Sequence, residues 1–443
     1  MNFSTLMGSQ FFAPLFWTQF LGAFNDNLYK NALIILITYK AASYTSISSE
    51  ILIPLSAGIF ILPFFLFSAL AGQLADKYEK SKLIRHVKLA EINIMLLAAL
   101  GFYFENIWFL LTVLFLMGCQ SSLFGPVKYS ILPQHLDEEG LLKGNGIIEM
   151  GTFLAILLGT LVGGILIMLE DYGSLYISVL VVSIAITGWL SSQKIPLAES
   201  ANQFLAINWN IFSETWIILS AATRTRLIFG AVLAISWFWF IGATILAILP
   251  GFTKNILQGN EQVVTLLLAL FSIGIGIGSI IAGKSKTLRK SIKWVIIGAI
   301  GISLIGLDLY WASAQLVESQ MSATILELDL IGWQGMFQQH LNVHILIDVL
   351  LLGTSGGFYI VPLYVILQEH SAIETRSRTI AANNISNALF MVGSAILTMI
   401  LLDNGMSLYA LFALIGIVNL LIMVFLYWRF SDDVRQVLNY NPS

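Results

Sequence analysis

Six polar side chains interrupt the first apolar stretch of the chain: Gln19, Asn25, Asp26, Asn27, Lys30 and Asn31. A charge at bilayer depth is costly, so an ionisable residue there marks function by default. Asp26 and Lys30 stand one helical turn apart, share a face and can pair. Gln19, two turns before Asp26, points the same way. Lys128 follows Phe124-Gly125-Pro126-Val127. Pro126 frees a carbonyl and bends its helix, and the Lys128 ammonium suits a phosphate or reaches for the membrane interface. Asn145 and Glu149 lie one turn apart, and Asn383, Asn384 and Asn387 occupy a matching place later in the chain. Glu91, Asp308 and Asp348 are single acids in apolar surroundings and are candidates for carrying protons. His340 and His344 are also one turn apart, but no acidic partner at metal spacing accompanies them. No metal and no cofactor is expected.

The elements that must position these residues are membrane-spanning helices. Of the 443 residues, 57% are hydrophobic and only 11% charged, where a soluble domain carries roughly 25% charged residues. Mean hydropathy is +0.84, so lipid must serve as solvent. A net charge of −3 argues against a nucleic-acid partner, and the single cysteine, Cys119, excludes an internal disulfide. Apolar stretches fall near 14–39, 51–73, 83–104, 107–128, 145–169 and 173–192, then 225–250, 261–283, 291–313, 342–367, 378–402 and 406–430. This predicts an all-α membrane protein of twelve transmembrane helices in two six-helix bundles, 1–192 and 224–443, joined by a cytoplasmic linker at 193–223. Within the linker, Trp209, Phe212, Trp216 and Ile217 predict a short helix lying on the membrane surface. Residues 314–341, with Glu318, Glu327 and Asp329, read as an outer loop. The N-terminus lacks the basic start of a cleavable signal peptide and reads as a retained span.

One alternate set of loops holds 18 of the 22 basic residues, from Lys77, Lys80, Lys82, Arg85 and Lys88 to Arg376, Arg378, Arg429 and Arg435. Positive charge stays on the cytoplasmic side, which predicts both termini there. Trp237-Phe238-Trp239-Phe240 alternates around its helix, so some of these rings should face lipid and some line an apolar path. Gly274, Gly276, Gly278 and Gly283 follow no strand, and read as small-residue helix packing, as do Gly159, Gly163 and Gly164.

The two halves echo each other at an offset of 235: Gly118 with Gly353, Phe124 with Tyr359, Tyr129 with Tyr364, His135 with His370. Repeated six-helix halves are a common plan among secondary transporters. The run Gly72-Gln73-Leu74-Ala75-Asp76-Lys77 resembles the loop motif of the major facilitator superfamily. Physically, Gly72 permits close helix approach, Asp76 can accept from a neighbouring helix N-terminus or an arginine, and Lys77 holds the loop at the anionic leaflet. The three read as a conformational latch. Gly159 to Gly164 resembles the antiporter motif of drug exporters, but Thr160 stands where that motif has proline.

Phe20-Leu21-Gly22-Ala23-Phe24-Asn25-Asp26-Asn27 resembles the first-span signature of the bacterial lysophospholipid transporter family. Phe124 to Pro133, Asn145-Gly146 with Glu149, Gly356-Gly357-Phe358 and Leu367-Gln368-Glu369 resemble that family too. The resemblance covers nearly all the membrane part. It implies movement of lysophospholipids, above all lysophosphatidylethanolamine, from the outer to the inner leaflet of the bacterial inner membrane by rocking of the two halves. It also implies membrane lipids and a separate acyltransferase as partners, because the sequence ends at Ser443 without an enzyme domain. Some relatives carry an arginine in the seventh span; Gly242-Ala243-Thr244-Ile245-Leu246 has none. Such a zwitterionic substrate needs a cation for phosphate and an anion for ammonium, which Lys128 with Asp26 or Glu149 would supply. The chain is expected to work as a monomer and not as an enzyme. A transporter of another amphipathic solute, such as a drug or siderophore, and a membrane scaffold for a lipid-modifying enzyme are the rival readings.

Overall fold

A computed structural model describes residues 3–44, 49–169, 172–322 and 330–439. These form α1 (Phe3–Met7), α2 (Ala13–Tyr44), α3 (Ser49–Lys77), α4 (Lys80–Tyr103), α5 (Ile107–His135), α6 (Glu138–Ile167) and α7 (Gly173–Ser192). They continue as α8 (Ile211–Arg224), α9 (Arg226–Asn255), α10 (Glu261–Gly283), α11 (Leu288–Ser322), α12 (His340–His370), α13 (Arg376–Asp403) and α14 (Ala410–Asn439). Twelve of these run 20 residues or more, the length that spans a bilayer. Among the described residues, ten also hold a stretch apolar enough to cross a membrane. The two that fall short are α2 and α4, which carry Asp26 and Lys30, and Lys88 and Glu91. The protein is an all-helical, multi-pass membrane protein.

Helix starts follow from side chains that accept the unpaired first-turn N–H groups. Asn106 receives the Phe109 N–H at 3.0 Å and Asp137 the Gly140 N–H at 2.8 Å. Glu79 starts α4, accepting from the N–H groups of Ser81 at 2.9 Å and Lys82 at 2.8 Å, and from Ala198 N–H at 2.7 Å. Burial pushes the Glu79 carboxyl up, but these bonds outweigh it and hold it below the usual carboxylate range.

Packing divides the chain into two compact units. Unit 1 comprises Met1–Gly144, Leu154–Val232 and Leu367–Leu389; unit 2 comprises Asn145–Phe153, Leu233–Ile366 and Phe390–Ser443. The core of unit 1 joins Leu28, Tyr29 and Leu33 of α2 to Met95 and Phe102 of α4, Leu110 and Leu114 of α5, and Val181 of α7. Gly159 and Gly163 of α6 bring it against α2, because a Cβ at either would collide with the carbonyls of Phe24 and Leu28. The linker helix α8 packs Ile218 and Ala222 onto Ala69, Ala381 and Ile385. Its Phe212 and Trp216 are 72% and 74% exposed, which suits a helix lying at the membrane surface.

In unit 2, α10 and α12 close on each other through Gly274, Gly278, Gly353 and Gly357, where a Cβ would strike the opposing backbone. Asn419 of α14 accepts from Trp237 Nε1 at 2.9 Å and donates to Ala299 O at 2.8 Å and Ser303 Oγ at 2.8 Å, tying α9 and α11 to α14. Trp237 stacks on Phe240, while Phe238 and Trp239 turn toward Phe153. Trp237 and Phe238 are buried, while Trp239 and Phe240 are partly buried. Glu318 lies within α11, extending that helix into the stretch expected as loop. Glu327 and Asp329 lie outside the described residues.

Candidate functional site

The polar residues of α2 reach different neighbours. Asn25 donates to Glu91 Oε1 on α4 at 3.2 Å and to Val181 O on α7 at 3.2 Å. Asn31 donates to Thr160 O on α6 at 2.7 Å, and Asn27 to its own helix at Ala23 O at 2.8 Å. Asp26 and Lys30 do not turn to each other as expected. Asp26 Oδ2 accepts from Ser121 Oγ on α5 at 2.6 Å, while the Lys30 ammonium stands 5.2 Å from the Phe60 ring centroid on α3. The two groups still act on each other through their charges, without a direct ion pair between them. Both charges are only partly buried, whereas Asn25 and Asn27 are buried.

Behind them lies an ion pair that sequence reasoning missed. Lys88 Nζ meets Glu91 Oε2 at 2.5 Å, with the two side chains 1% and 3% exposed. Gln120 of α5 donates to the same Oε2 at 3.1 Å. Lys88, assigned from the sequence to a cytoplasmic basic loop, thus sits inside unit 1, over the Phe124 ring at 5.4 Å. A Cβ at Gly22 would lie 2.5 Å from the ammonium, so Gly22 makes room for it. The available signal was the helical spacing of Lys88 and Glu91, which marks one face.

Lys128 is partly buried, its ammonium 4.4 Å from the Tyr129 ring centroid. It follows Ser121 by two turns of α5, about 10 Å of rise, so it and Asp26 address different levels of the helix. Asn383 and Asn387 of α13 are buried in unit 1, and neither polar atom of Asn383 has a partner among the described residues. Asn384 packs against Gly125, where a Cβ would lie 2.5 Å from its Nδ2. In unit 2, Asn145 and Glu149 are buried on the third and fourth turns of α6, which pack against α10, Gly146 facing Ser279 O.

Asp76 receives both kinds of donor. Ser377 N–H, at the start of α13, bonds its Oδ1 at 3.0 Å, and Arg378 Nε bonds its Oδ2 at 3.0 Å. Gly72 permits the approach, since a Cβ there would lie 2.8 Å from Ala381 Cβ and 2.9 Å from Arg378 Cα. Lys77 lies beyond this contact, beside Tyr78 at 6.0 Å.

Unit 2 holds an apolar cavity lined by Phe153, Phe238, Trp239, Gly242, Ala243, Leu246, Phe271, Ile275 and Met391. No charged group lines it. The expectation that His344 lacks an acidic partner is overturned. Its Nε2 lies 3.1 Å from Asp308 Oδ2 on α11 and 3.6 Å from Asp348 Oδ2 on its own helix. One acid comes from another helix, which linear spacing does not reveal. His340 takes no part.

Twelve long helices among the described residues, with charges buried inside them and a carboxylate at the end of one helix holding the start of another, are the arrangement of a membrane carrier. The sequence profile of the Major Facilitator Superfamily matches residues 2–332, and the chain belongs to that superfamily. It is similar to the "Lysophospholipid transporter LplT" of Enterobacter sp. (strain 638), 28% identical over 83% of this chain and 81% of the relative. It is equally similar to that of Escherichia fergusonii, 28% identical over 90% and 88%. Among solved structures, the human organic anion transporter MFSD10 superposes with a TM-score of 0.75 at 11% identity, covering 94% of this chain and 99% of that one. The Escherichia coli fucose:proton symporter FucP gives 0.65 at 15% identity, covering 94% and 98%. These structural likenesses establish the fold.

Proposed function

We propose that this protein moves lysophospholipids from the outer to the inner leaflet of a bacterial inner membrane, for reacylation by an acyltransferase. The observation that carries this reading is the state of Asp26 and Lys30. A carboxyl and an ammonium lie about 6 Å apart along one helix, in each other's field, with Ser121 and Phe60 as their close contacts. A phosphoethanolamine headgroup can bridge that separation, ammonium to Asp26 and phosphate to Lys30. Similarity to proteins named lysophospholipid transporter over more than four-fifths of their lengths supports the reading.

Lys128 then serves as a second phosphate contact, two turns along α5. Asn145 and Glu149, and Asn383 and Asn387, are proposed polar contacts on the path. Of these Asn383 has the strongest case, its two buried polar atoms awaiting a partner. The distribution of basic loops supports cytoplasmic termini.

Asp26→Asn keeps the size of the side chain and its bond from Ser121. It is expected to lower lysophosphatidylethanolamine uptake at least about tenfold at equal membrane levels, the weight of one charge-assisted hydrogen bond of about 1.5–3 kcal/mol. Unchanged uptake removes Asp26 from the mechanism.

Asp76, with Gly72 and Lys77, acts in this reading as a latch released in each transport cycle. Asp76→Ala strands the Ser377 N–H and Arg378 and is expected to lose most initial uptake rate. Asp76→Asn, still able to accept from Ser377, is expected to retain part of it. Equal rates in the two variants would deny the latch its role.

A further inference from the structure

Unit 2 holds a second polar cluster, apart from the residues assigned to the lipid. One ligand atom each from Asp308, His344 and Asp348 lies within 4.8 Å of the other two. The Asp348 side chain is 4% exposed, and its Oδ2, which faces His344, has no hydrogen-bond donor among the described residues. A buried carboxylate oxygen without a donor is costly, and a second carboxylate beside it adds repulsion. Trp311 packs edge-on against the His344 ring at 6.0 Å and limits its freedom to turn elsewhere.

We propose that Asp308, His344 and Asp348 bind a divalent transition-metal ion, with zinc the best match. Two carboxylates and a neutral imidazole carry a charge of −2, which one divalent ion cancels. Tetrahedral zinc holds N and O ligands at about 2.0–2.2 Å, which sets neighbouring ligand atoms about 3.4 Å apart. The observed separations from His344 Nε2, 3.1 Å and 3.6 Å, bracket that value. The imidazole selects against magnesium and calcium, which favour all-oxygen sets. Three protein ligands leave a fourth position for water. Asp308 is 45% exposed and His344 26% exposed at their side chains, so an ion reaches the cluster without helix separation. Once bound, it ties α11 to α12.

The test uses the full chain purified with a histidine-free tag, stripped with chelator, then titrated with zinc chloride and followed by calorimetry and thermal unfolding. One saturable, micromolar equivalent that raises the unfolding temperature is expected. Asp348→Asn and His344→Gln are each expected to weaken binding at least tenfold. Asp308→Asn, at the most exposed ligand, replaces either variant that does not fold. Absence of saturable binding, or binding that survives any of these substitutions in a folded variant, overturns the site. Neither result depends on lipid transport.

Discussion

Glu91→Leu is expected to destabilise the protein by about 3–5 kcal/mol, the cost of stranding one member of a buried ion pair. Lys88, 1% exposed, would have no carboxylate left, and the bonds from Asn25 and Gln120 would lose their acceptor. Lys88→Met should cost less, because Glu91 keeps both of those donors. The double variant Lys88→Met/Glu91→Leu is expected to recover most of the loss, since apolar replacements of a buried pair are often neutral or better. Thermal unfolding in detergent of the two single variants and the double one checks this order. A double variant no more stable than Glu91→Leu would contradict it. The Asn25–Glu91 bond sets the register in which α2 presents Asp26, so the double variant should fold yet transport slowly. Full transport would make the pair structural only.

Gly278→Val should prevent normal folding. The Cβ of any other residue there would drive into the Thr354 carbonyl, and Gly274, Gly353 and Gly357 repeat the same contact along the α10–α12 seam. The opposing atoms are backbone and cannot swing aside. Even Gly278→Ala is therefore placed near the top of the about 1–3 kcal/mol range for overpacking. Gly393→Ala is the control, because a Cβ there meets nothing within 4 Å and alanine favours the helix by about 1 kcal/mol. Detergent-stable yield and unfolding temperature should fall for Gly278→Ala and hold or rise for Gly393→Ala. Equal behaviour of the two would show that α10 and α12 do not need close contact.

Much of the fold is legible in the sequence because lipid imposes one demand, about 20 apolar residues per crossing. The stretches 173–192 and 261–283 coincide with α7 and α10. Others fall short of their helices, as 107–128 does of Ile107–His135. Hydropathy reports the lipid-buried part, whereas backbone hydrogen bonding continues beyond it. Packing was harder to read. The units exchange segments, Asn145–Phe153 and Leu367–Leu389 packing away from their sequence halves, and no periodicity encodes that.

The candidate site was legible as a set of residues more than as a set of partners. Asp26 and Lys30 stood out as charges in an apolar stretch, yet their contacts, Ser121 and Phe60, come from helices far off in sequence. Lys88 was hidden among the other basic residues of the run because α4 begins at Lys80, so a stretch that read as a loop is already helix and carries Lys88 two turns into it. Asp308 could be linked to His344 only through the fold, across 36 residues.

The most direct measurement is uptake of labelled lysophosphatidylethanolamine by spheroplasts lacking their own transporter, with and without this protein, beside the two-chain lipid. The account predicts uptake of the one-chain lipid that depends on the protein and falls with Asp26→Asn, and none of the two-chain lipid. Uptake no greater than in empty spheroplasts, with the protein folded in the membrane, would contradict it.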